Sequence, residues 1–183
     1  MSQGHFEGKY EVELKYRLPS KANFMATLDQ LEHEVMLVEN TEQDHYFDLP
    51  DHSLALGNKS VCIRRMMPSG IQLWIVKGPE KDRCEAVNIS DCDKAESMLT
   101  TMGYQCVLKM HKTRSIYFID EFHITVDQLD GIGDFAEFAI MTDDESRLDD
   151  YQQQLTQLAS QFGLAAQHLE HRSYRELYTQ SLG

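Results

Sequence analysis

The chain has 183 residues, 42% of them hydrophobic and 26% charged, and sets 17 Lys and Arg against 30 Asp and Glu for a formal net charge of −13. That balance repels polyanions at long range and argues against DNA, RNA or an anionic membrane as partner. No apolar run reaches the ~18–20 residues needed to cross a bilayer, the opening MSQGHFEGKYE lacks the apolar centre of a signal peptide, and the four cysteines form no C-x-x-C pair that would mark a zinc knuckle or redox motif.

A cytoplasmic protein is expected, built as one domain over residues 1–183, with Cys62, Cys84, Cys92 and Cys106 as free thiols. The first element is a strand, YEVELKYRL, in which Tyr10, Val12, Leu14 and Tyr16 alternate with Glu11, Glu13, Lys15 and Arg17. After Pro19 and Ser20, the spacing of Phe24, Leu28, Leu31 and Val35 predicts a helix. β-Branched and aromatic segments then predict strands at 44–49, 60–66, 71–77 and 83–89, with turns at Pro68-Ser69-Gly70 and Gly78-Pro79.

A second helix opens at Ser90-Asp91-Cys92-Asp93 and runs through Ala95, Met98, Leu99 and Met102 to Gly103. Strands follow at 112–119, 122–129 and 134–141, the last two joined by Gly131-Ile132-Gly133. A third helix carries Leu148, Tyr151, Leu155, Leu158 and Phe162, and a ninth strand is expected within 168–177. The apolar helical stripes are read as core packing. The order predicts an α+β fold dominated by an antiparallel sheet.

Charged residues recur at strand positions along the whole chain. Lys77 ends an apolar strand, Arg64 and Arg65 precede a turn, Lys112 and Arg114 share a face, Asp127 shares a face with His123 and Thr125, Glu137 follows on the next strand, and Arg83 and Glu85 add one of each sign. Each alone reads as a solvated strand end. Together they would leave a whole sheet face charged and uncovered, whereas closing the sheet into a barrel gives them one interior. Two cations roughly 6 Å apart repel by about 3 kcal/mol at an effective dielectric of 20, so such an interior calls for an anion. The carboxylates likewise call for a hard cation, and Mg²⁺ commonly bridges carboxylates to substrate phosphates.

With these features, the E-x-E-x-K motif Glu11-Val12-Glu13-Leu14-Lys15 resembles the hallmark of the CYTH superfamily, the triphosphate tunnel metalloenzymes. The resemblance extends through PSGIQLWIVKGP, KTRSIYFI, HITVDQLDGIGDFAEFAIMTDD and RSYREL, and these blocks are most similar to the class IV adenylyl cyclases of bacteria. It implies a closed eight-stranded antiparallel barrel with helices packed outside. Glu11, Glu13, Asp127 and Glu137 are then the metal-site carboxylates, and Lys15, Arg64, Lys77, Lys112 and Arg114 the phosphate clamp. Glu13, Lys15, Arg114, Asp127 and Glu137 would carry the catalysis.

The implied reaction is conversion of ATP to 3′,5′-cyclic AMP and pyrophosphate with Mg²⁺ or Mn²⁺, two ions per site, in a homodimer. Arg65 is left as a surface or partner residue and Glu85 as a further lumen acid, while His5 and Phe6 lie within reach of a tunnel mouth. Many relatives carry E-x-E where this chain has Glu137-Phe138-Ala139, a departure that disfavours hydrolysis. The alternatives are a triphosphatase of the same family, acting on thiamine triphosphate or tripolyphosphate, and a non-catalytic nucleotide or polyphosphate binder.

Overall fold

Period-two alternation governs most of the chain, and in the computed structural model, which describes residues 3–183, it produces eight antiparallel strands. They are β1 (Tyr10–Arg17), β2 (Glu34–Asp48), β3 (Ser60–Met67), β4 (Gln72–Lys77), β5 (Cys84–Asn88), β6 (Gln105–Ile119), β7 (Phe122–Leu129) and β8 (Gly133–Thr142). The helices are α1 (Lys21–Gln30), α2 (Ser53–Leu56), α3 (Cys92–Thr101), α4 (Leu148–Ser160) and α5 (Tyr174–Ser181). No helix among the described residues is long and apolar enough to cross a membrane.

The strand order β1-β8-β7-β6-β2-β3-β4-β5 leaves β1 and β5 at the edges of the sheet. Twist accumulated across the strands curls the sheet until those edges touch. The Glu11 N–H donates to the Asp82 carbonyl at 2.8 Å, the Cys84 N–H donates to the Lys9 carbonyl at 2.8 Å, and Tyr10 and Arg83 form an isolated bridge. The sheet is thus not the closed barrel expected but an open, strongly curled wall, because β1 and β5 meet only over this short contact and no ladder runs continuously around the circumference.

Curling separates an outer face, covered by helices, from an inner face. On the outside, Val12 and Tyr16 of β1, Ile124 and Val126 of β7, and Phe138 and Ile140 of β8 pack with Phe24 and Leu28 of α1 and with Tyr151, Leu155 and Leu158 of α4. A second outer cluster sets Cys92, Ala95 and Leu99 of α3 on Phe47, Val61 and Ile63. The stripe of the third helix is core, as expected, and so are Phe24 and Leu28 of the first and Ala95 and Leu99 of the second, but Met98 and Met102, read as part of the same stripe, stand more than half exposed on the outer side of α3.

The boundaries differ from expectation where pairing overrides periodicity. Val35 does not extend α1: the helix is capped by Ser20 Oγ, which accepts from the Asn23 N–H at 3.1 Å, and Leu31 is already extended. Val35 instead pairs with Tyr117 in a β2–β6 ladder that makes both strands 15 residues long, far beyond the predicted 44–49 and 112–119. The cap of α3 is Asp91, one residue after the expected Ser90, and accepts from the Lys94 N–H.

The ninth strand is absent from residues 168–177. Leu169 makes one isolated bridge to Tyr16, and then Ser173 and Glu176 form a reciprocal capping box that starts α5.

Phe138 is fully buried and meets the rings of Tyr16, Phe24 and Phe162. Phe138→Ala is expected to lower the unfolding free energy by about 3–5 kcal/mol, read from denaturant midpoints at unchanged slope.

Candidate active site

The inner face collects what the strands present between their outward residues. Along β1 these are Glu11, Glu13 and Lys15. Across from them on β8, Ala139 is in register with Glu13, and Glu137 with Lys15. Thr125 of β7 lies opposite Glu137, and Asp127 opposite Arg114 of β6. Lys112 of β6 lies opposite Glu42 of β2, and Asp44 of β2 opposite Arg64 of β3. Residues more than a hundred positions apart in sequence thereby share one lumen.

Within it the acids and bases pair two-pronged. Arg64 Nε and Nη2 donate to the two oxygens of Asp44 at 2.7 and 2.9 Å, and Lys112 Nζ donates to Asp44 Oδ2 at 3.0 Å. Arg114 does the same to Asp127, at 2.6 and 2.8 Å, and reaches Glu137 Oε1 at 2.5 Å. Glu42 Oε1 lies 3.2 Å from Arg64 Nε, 3.1 Å from Lys112 Nζ and 3.8 Å from Arg114 Nη1, contacts of charge more than of directed hydrogen bonding. Charge-assisted bidentate pairs of this kind fix guanidinium orientation as well as position.

Asp44, Glu42 and Asp127 are each 1% exposed, so their charges survive only because cations face them. Burial alone would raise the Asp44 carboxyl, but Arg64 and Lys112 hold it far below the ordinary carboxylate range. Glu42 is lowered likewise, burial being outweighed by Arg114, Arg64 and Lys112. Glu137 moves the other way, raised first by burial and then by the neighbouring Glu13 carboxyl, with which it shares a hydrogen bond. Glu11 falls to about 2: against burial act a hydrogen bond from His123, whose Nε2 is 3.4 Å away, and the charge of Lys77. At Lys77, desolvation disfavours the ammonium, and Glu11 and Glu13 more than restore it.

The C-terminal segment closes one end of this lane. Tyr174, the first residue of α5, donates its hydroxyl to Asp127 Oδ2 at 2.6 Å, and its ring lies 4.2 Å from Lys15 Nζ and 5.5 Å from Lys112 Nζ. Lys15 Nζ also donates to the Arg172 carbonyl at 2.9 Å. Behind it Leu177 packs with Met110, Leu129 and Phe135.

Of the residues expected from sequence, Glu11, Glu13, Lys15, Arg64, Lys77, Lys112, Arg114, Asp127 and Glu137 all lie on the inner face. Arg65 lies outside, bonded to Asp93 at 2.6 Å and Glu96 at 3.1 Å of α3, in keeping with its reading as a surface residue. Glu85 is not a lumen acid. In the β4–β5 register Cys84 takes the inward position opposite Lys77, and Glu85 turns out, exposed and 3.2 Å from Arg83. Sequence reasoning missed Glu42, Asp44 and Tyr174. The first two were legible as the period-two series Asn40, Glu42, Asp44, and the third as the residue after the cap in Ser173-Tyr174-Arg175-Glu176.

The donor set suits a hard divalent cation. Glu13 and Glu137 are neighbouring carboxyls whose proximity adds to burial in raising Glu137, and a cation between them would relieve that repulsion. Among the described residues no three acidic, His or Cys side chains are already drawn together as a chelate. Asp127 differs from the two glutamates: its oxygens take donors from Arg114, Thr125 and Tyr174, which leaves it the anchor of Arg114.

Residues 9–174 match the family model described as the CYTH domain. The chain is 63% identical over 182 residues to a curated protein of Aeromonas hydrophila named adenylate cyclase CyaB, spanning 100% of this chain and 95% of that one. An X-ray structure of a Vibrio parahaemolyticus protein, provisionally assigned as an adenylate cyclase, superimposes with a TM-score of 0.92 at 52% identity over 94% of this chain and 99% of that one. A Hippeastrum protein, described as a cyclase candidate with dominant triphosphatase activity, shares the fold with a TM-score of 0.64 at 16% identity, over 93% and 96% of the two chains.

Two outcomes are expected. Asp44→Ala strands Arg64 and Lys112 without their bidentate partner and lowers stability by about 3–5 kcal/mol in denaturant unfolding, whereas the exposed Glu85→Ala changes it by less than about 0.5 kcal/mol. The Glu11 carboxyl, followed by NMR, titrates near 2. Because its folded value lies below the unfolded one, its contribution to stability is complete above about pH 4.5 and is lost as pH falls toward 2.

Proposed function

The chain belongs to the CYTH family, and from that premise we propose that it is an adenylyl cyclase, converting ATP to 3′,5′-cyclic AMP and pyrophosphate. The observation that carries this reading is the lumen itself: Arg64, Arg114 and Lys112 held in place by buried carboxylates, with Lys15 and Lys77 on the same inner face, beside a second group of acids. It is supported by full-length similarity to a protein bearing that name.

Arg64, Lys112, Arg114 and Lys15 bind and orient the triphosphate, with the two guanidinium groups suited to two-pronged contact with phosphate oxygens. Asp44 and Asp127 keep those arginines in register, so little reorganisation accompanies charge build-up during the reaction. Lys77, held cationic by Glu11 and Glu13, extends the positive lane. Glu11, Glu13 and Glu137 would hold Mg²⁺ or Mn²⁺, as one or two ions, which when bound supplies Lewis-acid activation of the ribose 3′-hydroxyl and neutralises the leaving pyrophosphate. The 3′-hydroxyl attacks the α-phosphorus in line and the bond to the β-phosphate oxygen breaks. Ala139, opposite Glu13, leaves no further carboxylate there to position a hydrolytic water.

Incubation with ATP and Mg²⁺ or Mn²⁺ is expected to yield cyclic AMP and pyrophosphate in equal amounts, resolved by chromatography. ADP with inorganic phosphate would replace this reading with a triphosphatase, and tight ATP binding without turnover would replace it with a binding module. Glu137→Gln is expected to reduce kcat by about 100-fold or more with an unchanged circular dichroism spectrum, and Arg65→Ala to stay within about twofold of the parent.

A further inference from the structure

The lane has two ends, and they differ. One is covered by α5 and its Tyr174. At the other, a short 3-10 turn, Gln3–Phe6, lies across the opening and puts two aromatic rings into it. The His5 imidazole stacks on Phe118 with ring centres 3.9 Å apart and planes 13° from parallel, and the Phe6 ring lies 4.7 Å from that of His123. Phe118 and His123 are inward residues, in register with one another on β6 and β7, and His123 touches Glu11.

Gly8 brings the turn into place. It has φ +144, and a Cβ there would come within 2.7 Å of the Thr142 backbone, so no side-chain-bearing residue lets the N-terminal segment cross β8 this closely.

Two features separate this cluster from ordinary packing. His5 Nδ1 is buried with no hydrogen-bond partner, an orphaned polar atom on a ring stacked against Phe118. And the imidazole lies on Phe118 at stacking distance with the two planes nearly parallel, the geometry in which a flat heteroaromatic ring stacks on a phenyl face.

We propose that this mouth is the nucleobase subsite: the adenine stacks on Phe118 in the layer now held by His5, His5 turns to meet an edge of the base with its free ring nitrogen, and Phe6 folds over the entrance. The inference deepens the cyclase reading and rests on the lumen being the triphosphate site. With the far end sealed by α5, a triphosphate lying along Lys15, Arg114 and Lys112 sends its nucleoside out past Glu11 and His123, to these rings. Stacking reads the π-face of a base and the ring nitrogen reads its edge, so the same side chains set both affinity and base preference.

The test is binding, measured by calorimetry in Mg²⁺ buffer with a non-cyclisable ATP analogue and with inorganic tripolyphosphate, which has no base. His5→Ala and Phe118→Leu are each expected to weaken the analogue about tenfold while leaving tripolyphosphate within about twofold. Equal weakening of both ligands would mean that the rings serve only to support the fold, and unchanged binding of both would remove them from the site; either overturns the proposal. So would failure of the parent protein to bind tripolyphosphate. Because turnover is not the readout, an absence of cyclic AMP would defeat the cyclase reading while leaving this result legible.

Discussion

The structure depends on how a charged interior is kept from repelling itself. Asp44, Asp127 and Glu42 are all but inaccessible to water, and they lie among Arg64, Lys112 and Arg114. Removing such groups from water costs several kcal/mol each, and only close opposite charge offsets that cost. Two-pronged pairing supplies it, and the same pairing fixes both guanidinium groups. Stability and preorganisation are here one arrangement: the carboxylates that make the buried arginines tolerable are also those that aim them.

Not all the acids serve this purpose. Glu42, Asp44 and Asp127 face cations, whereas Glu137, although it accepts from Arg114, also faces Glu13, and burial together with that neighbour leaves its carboxyl raised. Environment thus divides the carboxylates into a group that orients bases and a group whose mutual repulsion calls for a cation. Along β1 the order Glu11, Glu13, Lys15 runs from the mouth at His123, past the glutamate that faces Glu137, to the α5 end at Tyr174. The acids-then-bases order of the opening strand is this gradient written in sequence.

Much of this was legible beforehand, for identifiable reasons. Period-two alternation places every other residue on one face, so Glu11, Glu13, Lys15, Lys112, Arg114, Asp127 and Glu137 were identifiable as inward once the sheet was taken to curl. The residues that escaped were those whose strand was misjudged. With β2 begun at Asp44 instead of Glu34, Glu42 had no strand to sit on. Glu85 was misplaced by one position, and a one-residue error in a strand reverses the face. Tyr174 escaped because local β-propensity was read through a capping box that starts a helix. Pairing between distant strands, which lengthens β2 and β6 to 15 residues each, leaves no local signature.

The most direct measurement follows the arginine Nε resonances by ¹⁵N NMR as Mg²⁺ and a non-cyclisable ATP analogue are added. Arg64 and Arg114 should shift together along one saturable curve as phosphate oxygens reach them, while Arg65 and Arg172, outside the lumen, stay in place. Shifts confined to the outer arginines, with Arg64 and Arg114 unmoved at saturation, would contradict a triphosphate site inside the curled sheet.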